Sequence, residues 1–392
     1  GRTVVHCSAG VGRTGTYIAL DAMLEQVKHE GQVDVLGFIY QMRQQRTKMV
    51  QTVEQYKFLF DALLAASMTG DTTYKAADFR QTLIALKTTE KRTQETGLTK
   101  QFKTLTKLSF SRDSNSSYSG QLPENTDKNR YPDFVPSDRS RPYLVTAVHE
   151  DDTNYINATF LPGYRKKNRY IGTQMPMPNT VADFWGMVYD HKATCIVMLN
   201  ALDADDKTMC QYWPDEGSID FGSLRVELIE TKEYKVVTGR AFSLRNTKTK
   251  PDAPRSVTQF QYHDWPSDQE VPSSMDGMLT LLKLTEKWHE NTGSIIVHCI
   301  DGLGSTSVYC TVMALQEQYQ VEKAVDVFQA VHRLRMVNKN MMYSADQYAL
   351  CYDVIQAVLD SDVDIIYENT SACENATIYE NVTITDANIQ QQ

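Results

Sequence analysis

The hydrophobic pattern at the N-terminus changes within a few residues from a short apolar run to a helical period. Residues 3–7 (TVVHC) predict a strand, and the two glycines that follow permit a tight loop. From about Arg13 the apolar residues recur every three or four positions, which predicts a helix that Gly31 ends. Two further helices are predicted near 33–45 and 52–64. The apolar face of the first helix is predicted to consist of Tyr17, Leu20, Leu24 and Val27.

Much of the remaining chain alternates predicted strands with predicted helices. Residues 194–200 (TCIVMLN) have the continuous apolar character of a buried central strand, and 224–230 and 236–244 alternate like two paired strands. Another strand is predicted at 257–265, followed by an amphipathic helix over 274–290 that ends before Gly293. Interleaved strands and helices predict an α/β fold in which a mixed, twisted sheet is flanked by helices.

Three stretches lack such patterns. Residues 66–75 (ASMTGDTTYK) are predicted to connect two domains, and residues 111–127 are predicted to form an exposed loop. The polar residues after about 361 predict a disordered tail over 361–392.

Two parts of the chain have nearly the same sequence. Residues 6–15 read HCSAGVGRTG and residues 298–307 read HCIDGLGSTS, an offset of 292 residues. The same offset continues without a gap until it pairs Gln55-Tyr56 with Gln347-Tyr348. Long similarity without gaps indicates a duplicated domain rather than a short solenoid repeat. We therefore predict the end of a first domain at 1–65 and a complete second domain at 76–360.

Composition narrows the class of protein. The chain has 392 residues, of which 41% are hydrophobic and 23% charged, and these values are typical of a globular protein. A net charge of -9 argues against a general nucleic-acid binder. Seven cysteines without a pairing pattern favour a reducing compartment, and Cys195, Cys310 and Cys351 lie in apolar runs typical of core thiols. No Cys/His spacing is typical of a metal site, and no cofactor is predicted.

The first copy of the repeat has the composition of a phosphate-binding loop. A cysteine ends the predicted strand, and Arg13 begins the predicted helix six positions later. The backbone N–H groups of the intervening loop can converge on an anion, and the helix N-terminus and the arginine fork add positive charge. The same field lowers a thiol pKa, so Cys7 is a candidate nucleophile for phosphorus. The predicted phosphate-binding residues are Ser8, Ala9, Gly10, Val11, Gly12 and Arg13.

Three further residues are assigned to this site. Thr14 is placed to support Cys7 as a leaving group, and Gln51 and Gln55 are candidates for positioning water. Gln55 also fits a helix capping box with Thr52, so a purely structural role is an open alternative.

Several motifs resemble the protein tyrosine phosphatases. They are VHCSAGVGRTG, MVQTVEQY, KNRY at 128–131, NYINATF at 154–160, TQMPMPNTVADFW at 173–185 and HDWP at 263–266. Tandem domains of this kind resemble receptor-type members, and the linker most resembles the kappa/mu-like subgroup. The resemblance implies phosphotyrosine proteins as substrates, Cys7 as the nucleophile, Arg13 as the phosphate ligand, and Gln51 and Gln55 as the residues that orient water.

The resemblance also implies what this stretch of sequence lacks. The family's general acid is an Asp in a Trp-Pro-Asp loop, which for the first domain would lie upstream of residue 1. We therefore expect an N-terminally truncated fragment with an incomplete first domain. It would be the cytosolic portion of a single-pass membrane receptor, although no run of about 18 apolar residues lies within the chain.

The second copy departs from the pattern at four positions. Ser305 replaces the arginine, Asp301 replaces Ala9, Ser267 stands at the acid position with Asp268 beside it, and Tyr343 replaces Gln51. A serine cannot replace a bidentate cation, and a carboxylate in the loop repels phosphate and raises the pKa of Cys299. These changes predict a pseudophosphatase domain that docks against the first domain, recruits substrates or senses oxidation through Cys299. A simple packing role for His298 and Cys299 is the alternative.

The tail repeats Tyr-Glu-Asn, at Tyr367 and at Tyr379. If phosphorylated, each tyrosine would resemble a ligand of adaptor SH2 domains; the alternative is a tail that is never modified.

Three functions remain open from the sequence. The leading hypothesis is a phosphotyrosine hydrolase with an inactive second domain. A non-catalytic interaction module is the alternative, because the first domain is incomplete. A phosphatase acting on lipids or phosphoserine is disfavoured by Tyr131 of KNRY, which in the family lines a deep slot for phosphotyrosine.

Overall fold

The computed structural model describes residues 1–110, 117–146, 153–248, 253–290 and 293–371. Its helices are α1 (Gly12–Glu30), α2 (Val35–Gln45), α3 (Val53–Thr69), α4 (Ala76–Lys87), α5 (Gly97–Phe110), α6 (Tyr118–Gln121), α7 (Val181–Asp190), α8 (Met275–Glu286), α9 (Gly304–Glu322), α10 (Val327–Val337) and α11 (Ala345–Ser371). Its strands are β1 (Tyr74–Lys75), β2 (Ala158–Leu161), β3 (Tyr170–Gln174), β4 (Cys195–Met198), β5 (Ser218–Phe221), β6 (Leu224–Tyr234), β7 (Val237–Asn246), β8 (Arg255–Tyr262), β9 (Ile295–Cys299) and β10 (Ala324–Val325).

One mixed sheet organises the second half of the chain, in the order β2-β3-β9-β4-β8-β7-β6-β5. Strands β3, β9, β4 and β8 are parallel neighbours, and the outer strands pair antiparallel. Every residue of β3, β4 and β9 is buried, as expected for parallel strands that are covered on both faces. The predicted α/β fold with a mixed sheet flanked by helices is confirmed.

Alternate residues of the central strands face two separate cores. Ile196 and Ile296 point into the core that α7 covers, whereas Val197 and Val297 point into a larger core formed with α4, α5 and α8 to α11. This alternation places Cys299, at the end of β9, in the larger core. The sheet therefore places Cys299 directly before the loop that leads to the N-terminus of α9.

Helices α1, α2 and α3 form a smaller module with its own core, which includes Ala19, Met23, Ile39 and Leu59. Helix α1 starts and stops as predicted: Gly31 ends it in the left-handed region (φ 69°). The predicted strand at 3–7 is wrong, because those residues adopt no regular secondary structure. Their counterpart β9 lies between two parallel neighbours, and within the described residues 3–7 have no strand with which to pair.

The predicted apolar face of α1 is only partly buried, and the repeat shows what covers such a face. Tyr17 is 56% exposed, whereas its counterpart Tyr309 is buried against Tyr170 of β3 and donates a hydrogen bond to Thr285 of α8. Phe60 is 47% exposed, whereas its counterpart Tyr352 is buried. The exposed positions of the first module thus correspond to positions that face a sheet and its helices in the second.

Three stretches differ from the sequence expectation. Helix α3 continues to Thr69, into the predicted 66–75 connection, and α11 continues to Ser371, so Tyr367 lies in a helix where a disordered tail was expected. The predicted loop at 111–127 contains α6 and a 3-10 turn at Pro123–Lys128, within which Asn125 is buried. Residues 111–116 and Tyr379 lie outside the described residues.

A short connection follows α3 and is bound to the second module, which comprises the eight-stranded sheet and helices α4 to α11. Thr72 and Thr73 both donate side-chain hydrogen bonds to the carboxylate of Asp326, at 2.9 to 3.0 Å. Strand β1 then pairs with β10, in the register Tyr74↔Val325. The same carboxylate accepts a hydrogen bond from the Gln329 amide and so caps α10.

Within the described ranges, no helix combines the length and the apolar character that crossing a bilayer would require.

Asp34 is a matched control for Asp326, because it caps α2 through the Gly37 amide at 2.8 Å but accepts no hydrogen bond from a linker threonine. We expect Asp326→Ala to lower the free energy of unfolding by roughly 1–3 kcal/mol more than Asp34→Ala, since it also leaves two threonine hydroxyls without their acceptor. Urea unfolding, with hydrogen exchange at residues 74–76, measures the difference. Equal losses in the two variants would show that the threonine contacts contribute nothing.

Candidate active site

The loop after Cys7 is shaped by contacts to its main chain. Gly10 adopts a left-handed conformation (φ 66°) and donates its amide to the Cys7 sulfur at 3.2 Å. The Val11 carbonyl accepts hydrogen bonds from the Gly15 amide at 3.0 Å and from the Val50 amide at 3.2 Å. The C-terminal end of the loop is therefore bound both to α1 and to the turn that precedes α3.

Cys7 has the properties of a thiolate nucleophile. Its pKa is lowered from an ordinary value of 9.0 to about 6, chiefly by the side chain and the main chain of Thr14, with further contributions from the amides of Gly10 and Ala9. The Thr14 hydroxyl is buried and forms no well-aligned hydrogen bond among the described residues, yet it lies close enough to the sulfur to favour the charged form. At neutral pH most of the Cys7 population carries a negative charge.

Two arginines flank the loop. Arg13 Nη2 donates to Ser8 Oγ at 3.3 Å across the loop, which places the guanidinium next to the converging amides. Arg46 Nη2 donates to the Ala9 carbonyl at 3.2 Å. The sequence pattern predicted Arg13 but not Arg46, which is not repeated: its counterpart is Asn338.

Gln51 and Gln55 lie against the first residue of α1. A side chain at Gly12 would meet Gln55 Nε2 at 2.9 Å and Gln51 Oε1 at 3.3 Å, so only glycine leaves room for the two amides. Gln55 also forms the predicted capping box. Its side-chain Oε1 accepts a hydrogen bond from the Thr52 backbone amide, and its backbone amide donates to Thr52 Oγ1. The structure thus brings both glutamines to the Cys7 loop, and Gln55 has a structural role there as well.

A strained turn positions these glutamines, and the sequence pattern did not identify the residue that holds it. Val50 adopts φ 57°, which is unfavourable for a β-branched residue. Arg43 donates to the carbonyls of Met49 and Val50 at 2.9 and 2.7 Å. In the second module Arg335 donates in the same way to Met341 and Met342. The pairing of Arg43 with Arg335 in the repeat was the signal that could have identified this role.

The second loop contains a carboxylate where the first has a methyl group. Asp301 Oδ1 accepts the amides of Leu303 at 2.8 Å and Gly304 at 3.2 Å, and the Cys299 thiol donates to the same oxygen at 3.1 Å. Thr306 Oγ1 donates to the Cys299 sulfur at 3.2 Å. Burial, followed by the Asp301 charge, raises the pKa of Cys299 to about 12. Cys299 is therefore protonated at neutral pH.

The other three divergent residues occupy different places around this loop. Ser305 lies in the first turn of α9, and Tyr343 touches the loop, since a side chain at Gly304 would meet its Oη at 2.6 Å. Ser267 is exposed in a turn and is not brought to Cys299 by any hydrogen bond among the described residues. Its loop is tied to the Tyr343 region through a hydrogen bond from Ser344 to Glu270.

His298 and three cysteines lie in the core. His298 is fully buried beside Tyr212, whose hydroxyl lies 2.8 Å from its Nε2, and burial lowers its pKa to about 3. The prediction that Cys195, Cys310 and Cys351 are core thiols is confirmed, since each is at most 1% exposed. In the part of the chain that the structure describes, no three or more His, Cys, Asp or Glu side chains are grouped so as to hold a metal ion.

Comparison with known proteins gives the family. The protein-tyrosine phosphatase profile matches residues 1–65 and 125–357. The chain is 37% identical over 367 residues to receptor-type tyrosine-protein phosphatase alpha of Homo sapiens, covering 93% of this chain and 45% of that protein. It is 36% identical over 366 residues to the epsilon protein of Mus musculus, covering 92% and 52%. It is 35% identical over 365 residues to the U protein of Gallus gallus, covering 92% and 25%.

The chain therefore belongs to the protein tyrosine phosphatase family. It spans about half the length of the alpha and epsilon relatives that it matches. The kappa/mu-like subgroup inferred from the linker stays a prediction.

Removal of the Thr14 hydroxyl tests the origin of the Cys7 thiolate. We expect Thr14→Val to move the pKa of Cys7 from about 6 towards its ordinary value of 9.0, and Thr14→Ser to keep it low. Because only the thiolate is alkylated, the pH midpoint of iodoacetamide labelling of the Cys7 peptide reports this pKa. In the valine variant labelling at pH 7 becomes slow and is recovered at higher pH. An unchanged midpoint would assign the effect to the main-chain amides alone.

Proposed function

We propose that the loop over residues 7–13 hydrolyses phosphotyrosine in proteins through a phosphocysteine intermediate. The observation that carries this proposal is the charged state of Cys7, whose lowered pKa leaves a partly exposed thiolate beneath converging amides and beside Arg13. A thiolate in that position is a nucleophile directed at a bound phosphate. The amides and the guanidinium stabilise the charge on the transferring phosphoryl group.

The reaction proceeds in two displacements. In the first, Cys7 Sγ forms a bond to phosphorus while the bond between phosphorus and the tyrosine oxygen breaks, and a general acid protonates the departing phenolate. In the second, water attacks the phosphocysteine and gives a proton to the conjugate base of that acid, the bond between sulfur and phosphorus breaks, inorganic phosphate leaves, and the Cys7 thiolate is restored. Gln51 and Gln55 lie against Gly12 and are placed to orient that water. The acid is expected from the Trp-Pro-Asp loop that family members carry on the N-terminal side of the signature loop.

The second module is proposed to be inactive and to serve as a docking partner. Its cysteine is protonated and its loop has Ser305 in place of the arginine. Two contacts support docking within the chain. Ala65 of α3 packs against the core of the second module, and the threonines of the connection bind Asp326.

A non-catalytic interaction module is the second candidate function. It is favoured by the exposed apolar side chains of α1, α2 and α3, among which Leu36 is 68% exposed while its counterpart Phe328 is buried. A surface of this kind is typical of an interface.

Turnover of a phosphotyrosine peptide separates the candidates. The measurement is made on the 392-residue chain and on a polypeptide that extends it on the N-terminal side, each with Cys7→Ser and Cys299→Ser. We expect Cys7→Ser to abolish hydrolysis, a loss of at least about 1000-fold because the nucleophile is removed. Cys299→Ser is the matched control and should leave kcat within about twofold.

Two results would contradict the proposal. Activity that survives Cys7→Ser and is lost with Cys299→Ser would assign catalysis to the second loop. Absence of activity in both the chain and its extension would favour the interaction module. A phosphoserine peptide serves as the specificity control and is expected to be turned over much more slowly.

A further inference from the structure

The second loop contains the carboxylate of Asp301 at the position where the first loop has the methyl group of Ala9. In the first module residue 9 is alanine, and the Gly10 amide donates to the Cys7 sulfur. In the second module the side chain at the matching position, Asp301, turns back into the loop and accepts two amides and the Cys299 thiol on one oxygen. The two sulfurs thus have different partners in their loops: Cys7 accepts from the Gly10 amide, whereas Cys299 donates to Asp301 and accepts from the Thr306 hydroxyl.

One buried polar side chain beside this loop is the same in both modules. Gln347, the counterpart of Gln55, is 1% exposed, and its Nε2 lies 2.8 Å from where a side chain at Gly304 would begin. Its Oε1 is buried and has no hydrogen-bond partner among the described residues. An unpaired amide oxygen is costly in a core, so its retention beside the loop indicates a polar site rather than a remodelled apolar one.

The charge balance explains why a carboxylate is stable there. Amides at a helix N-terminus and the positive end of the helix dipole favour an anion, and in the second module no arginine follows the loop because residue 305 is serine. Asp301 supplies that anion from within the chain. A phosphate ion would have to displace it and would meet its negative charge.

We propose that Asp301 is an internal ligand of the second phosphate loop, and that its carboxylate closes the site by occupying the place of an oxyanion. This inference deepens the proposed inactivity of the second module and rests on it. It distinguishes two causes of inactivity, because loss of the arginine weakens phosphate binding whereas an internal carboxylate prevents it.

The occupied loop also defines the chemistry of Cys299. A thiol that donates to a carboxylate, with its pKa raised to about 12, is a poor nucleophile and is oxidised slowly. Oxidation sensing through Cys299, which the sequence left open, is therefore disfavoured. The thiol acts as one hydrogen-bond donor to the carboxylate that fills the loop.

Alkylation of Cys299, followed peptide by peptide with and without inorganic phosphate, tests the proposal in the full chain. Protection by phosphate reports that the anion has entered the loop. The variants are Asp301→Ala, Asp301→Asn, Ser305→Arg and the double change Asp301→Ala with Ser305→Arg. We expect Asp301→Ala to raise the alkylation rate at pH 7 by about two- to tenfold, because the Asp301 charge is removed while burial, the larger cause of the raised pKa of Cys299, remains.

Protection by phosphate distinguishes three causes of inactivity: a loop filled by the Asp301 carboxylate, a loop whose charge only repels phosphate, and a loop that only lacks its arginine. We expect protection in Asp301→Ala, stronger protection in the double variant, and none in the wild type or in Ser305→Arg. Asp301→Asn removes the charge but keeps an oxygen that can accept the two amides. We therefore expect faster alkylation in that variant, still without protection by phosphate.

Each remaining outcome has a defined meaning. Protection by phosphate in the single variant Ser305→Arg would overturn the proposal, because the missing arginine would then be the sole cause of the failure to bind phosphate. Protection in Asp301→Asn equal to that in Asp301→Ala would also overturn it, in favour of simple charge repulsion. No protection in either Asp301→Ala or the double variant would overturn it as well, because the loop would then no longer be an anion site.

The same experiment contains its own controls. Labelling of the buried Cys195 should stay slow in every variant that remains folded. If Asp301→Ala fails this control, the results for Asp301→Asn and Ser305→Arg decide whether Asp301 fills the loop. The alkylation of Cys7 is measured in the same digest. If Cys7 is neither labelled quickly nor protected by phosphate, the proposed function of the first module fails, independently of what Cys299 shows.

Discussion

Main-chain N–H groups at the N-terminus of a helix favour a negative partner, and the loops that precede α1 and α9 each supply one. The loops are short, they follow a cysteine, and a left-handed glycine turns each of them, Gly10 in one and Gly302 in the other. In the first loop the partner is the Cys7 thiolate, to which the Gly10 amide donates. In the second loop the partner is the Asp301 carboxylate, and the cysteine beside it keeps its proton. Burial of Cys299, followed by the Asp301 charge, and the more exposed position of Cys7 beside Thr14 thus give the two cysteines opposite charge states.

The remaining structure holds these loops in place. In the second module β9 lies between two parallel neighbours and ends at Cys299, and α9 starts five residues later, so the sheet and the helix determine the position of the loop. A second support comes from the strained turns at Val50 and Met342, each of which is held by an arginine that donates to carbonyls. The turn carries Gln51 in one module and Tyr343 in the other. This turn and its arginine are therefore common to the two modules, and the side chains that the turn presents are different.

The sequence repeat also makes the second module an internal reference for the first. Positions that are buried in one copy, such as Tyr309 and Tyr352, are exposed at Tyr17 and Phe60 in the other. Burial of an aromatic side chain contributes on the order of 2 kcal/mol, so an apolar face with several such residues has a strong tendency to be covered. The three helices nevertheless keep a core of their own around Leu59, and the connection bound to Asp326 fixes where they are attached.

The sequence by itself determined the elements and the chemistry that depend on local pattern. The helical period and Gly31 located α1, the apolar run at 194–200 located β4, and the repeat located both loops together with their cysteines. Capping of α3 by Thr52 and Gln55 was also predictable, because it involves residues three positions apart. What the tertiary structure decided depends on groups distant in sequence. Residues 3–7 are apolar and yet form no strand, because a strand needs a neighbour with which to pair. The role of Arg46, the binding of Asp326 to the connection and the continuation of α11 to Ser371 likewise required the folded chain. The sequence showed that Asp301 is acidic, but only the folded loop shows that its carboxylate points inward, where amides and a thiol satisfy it.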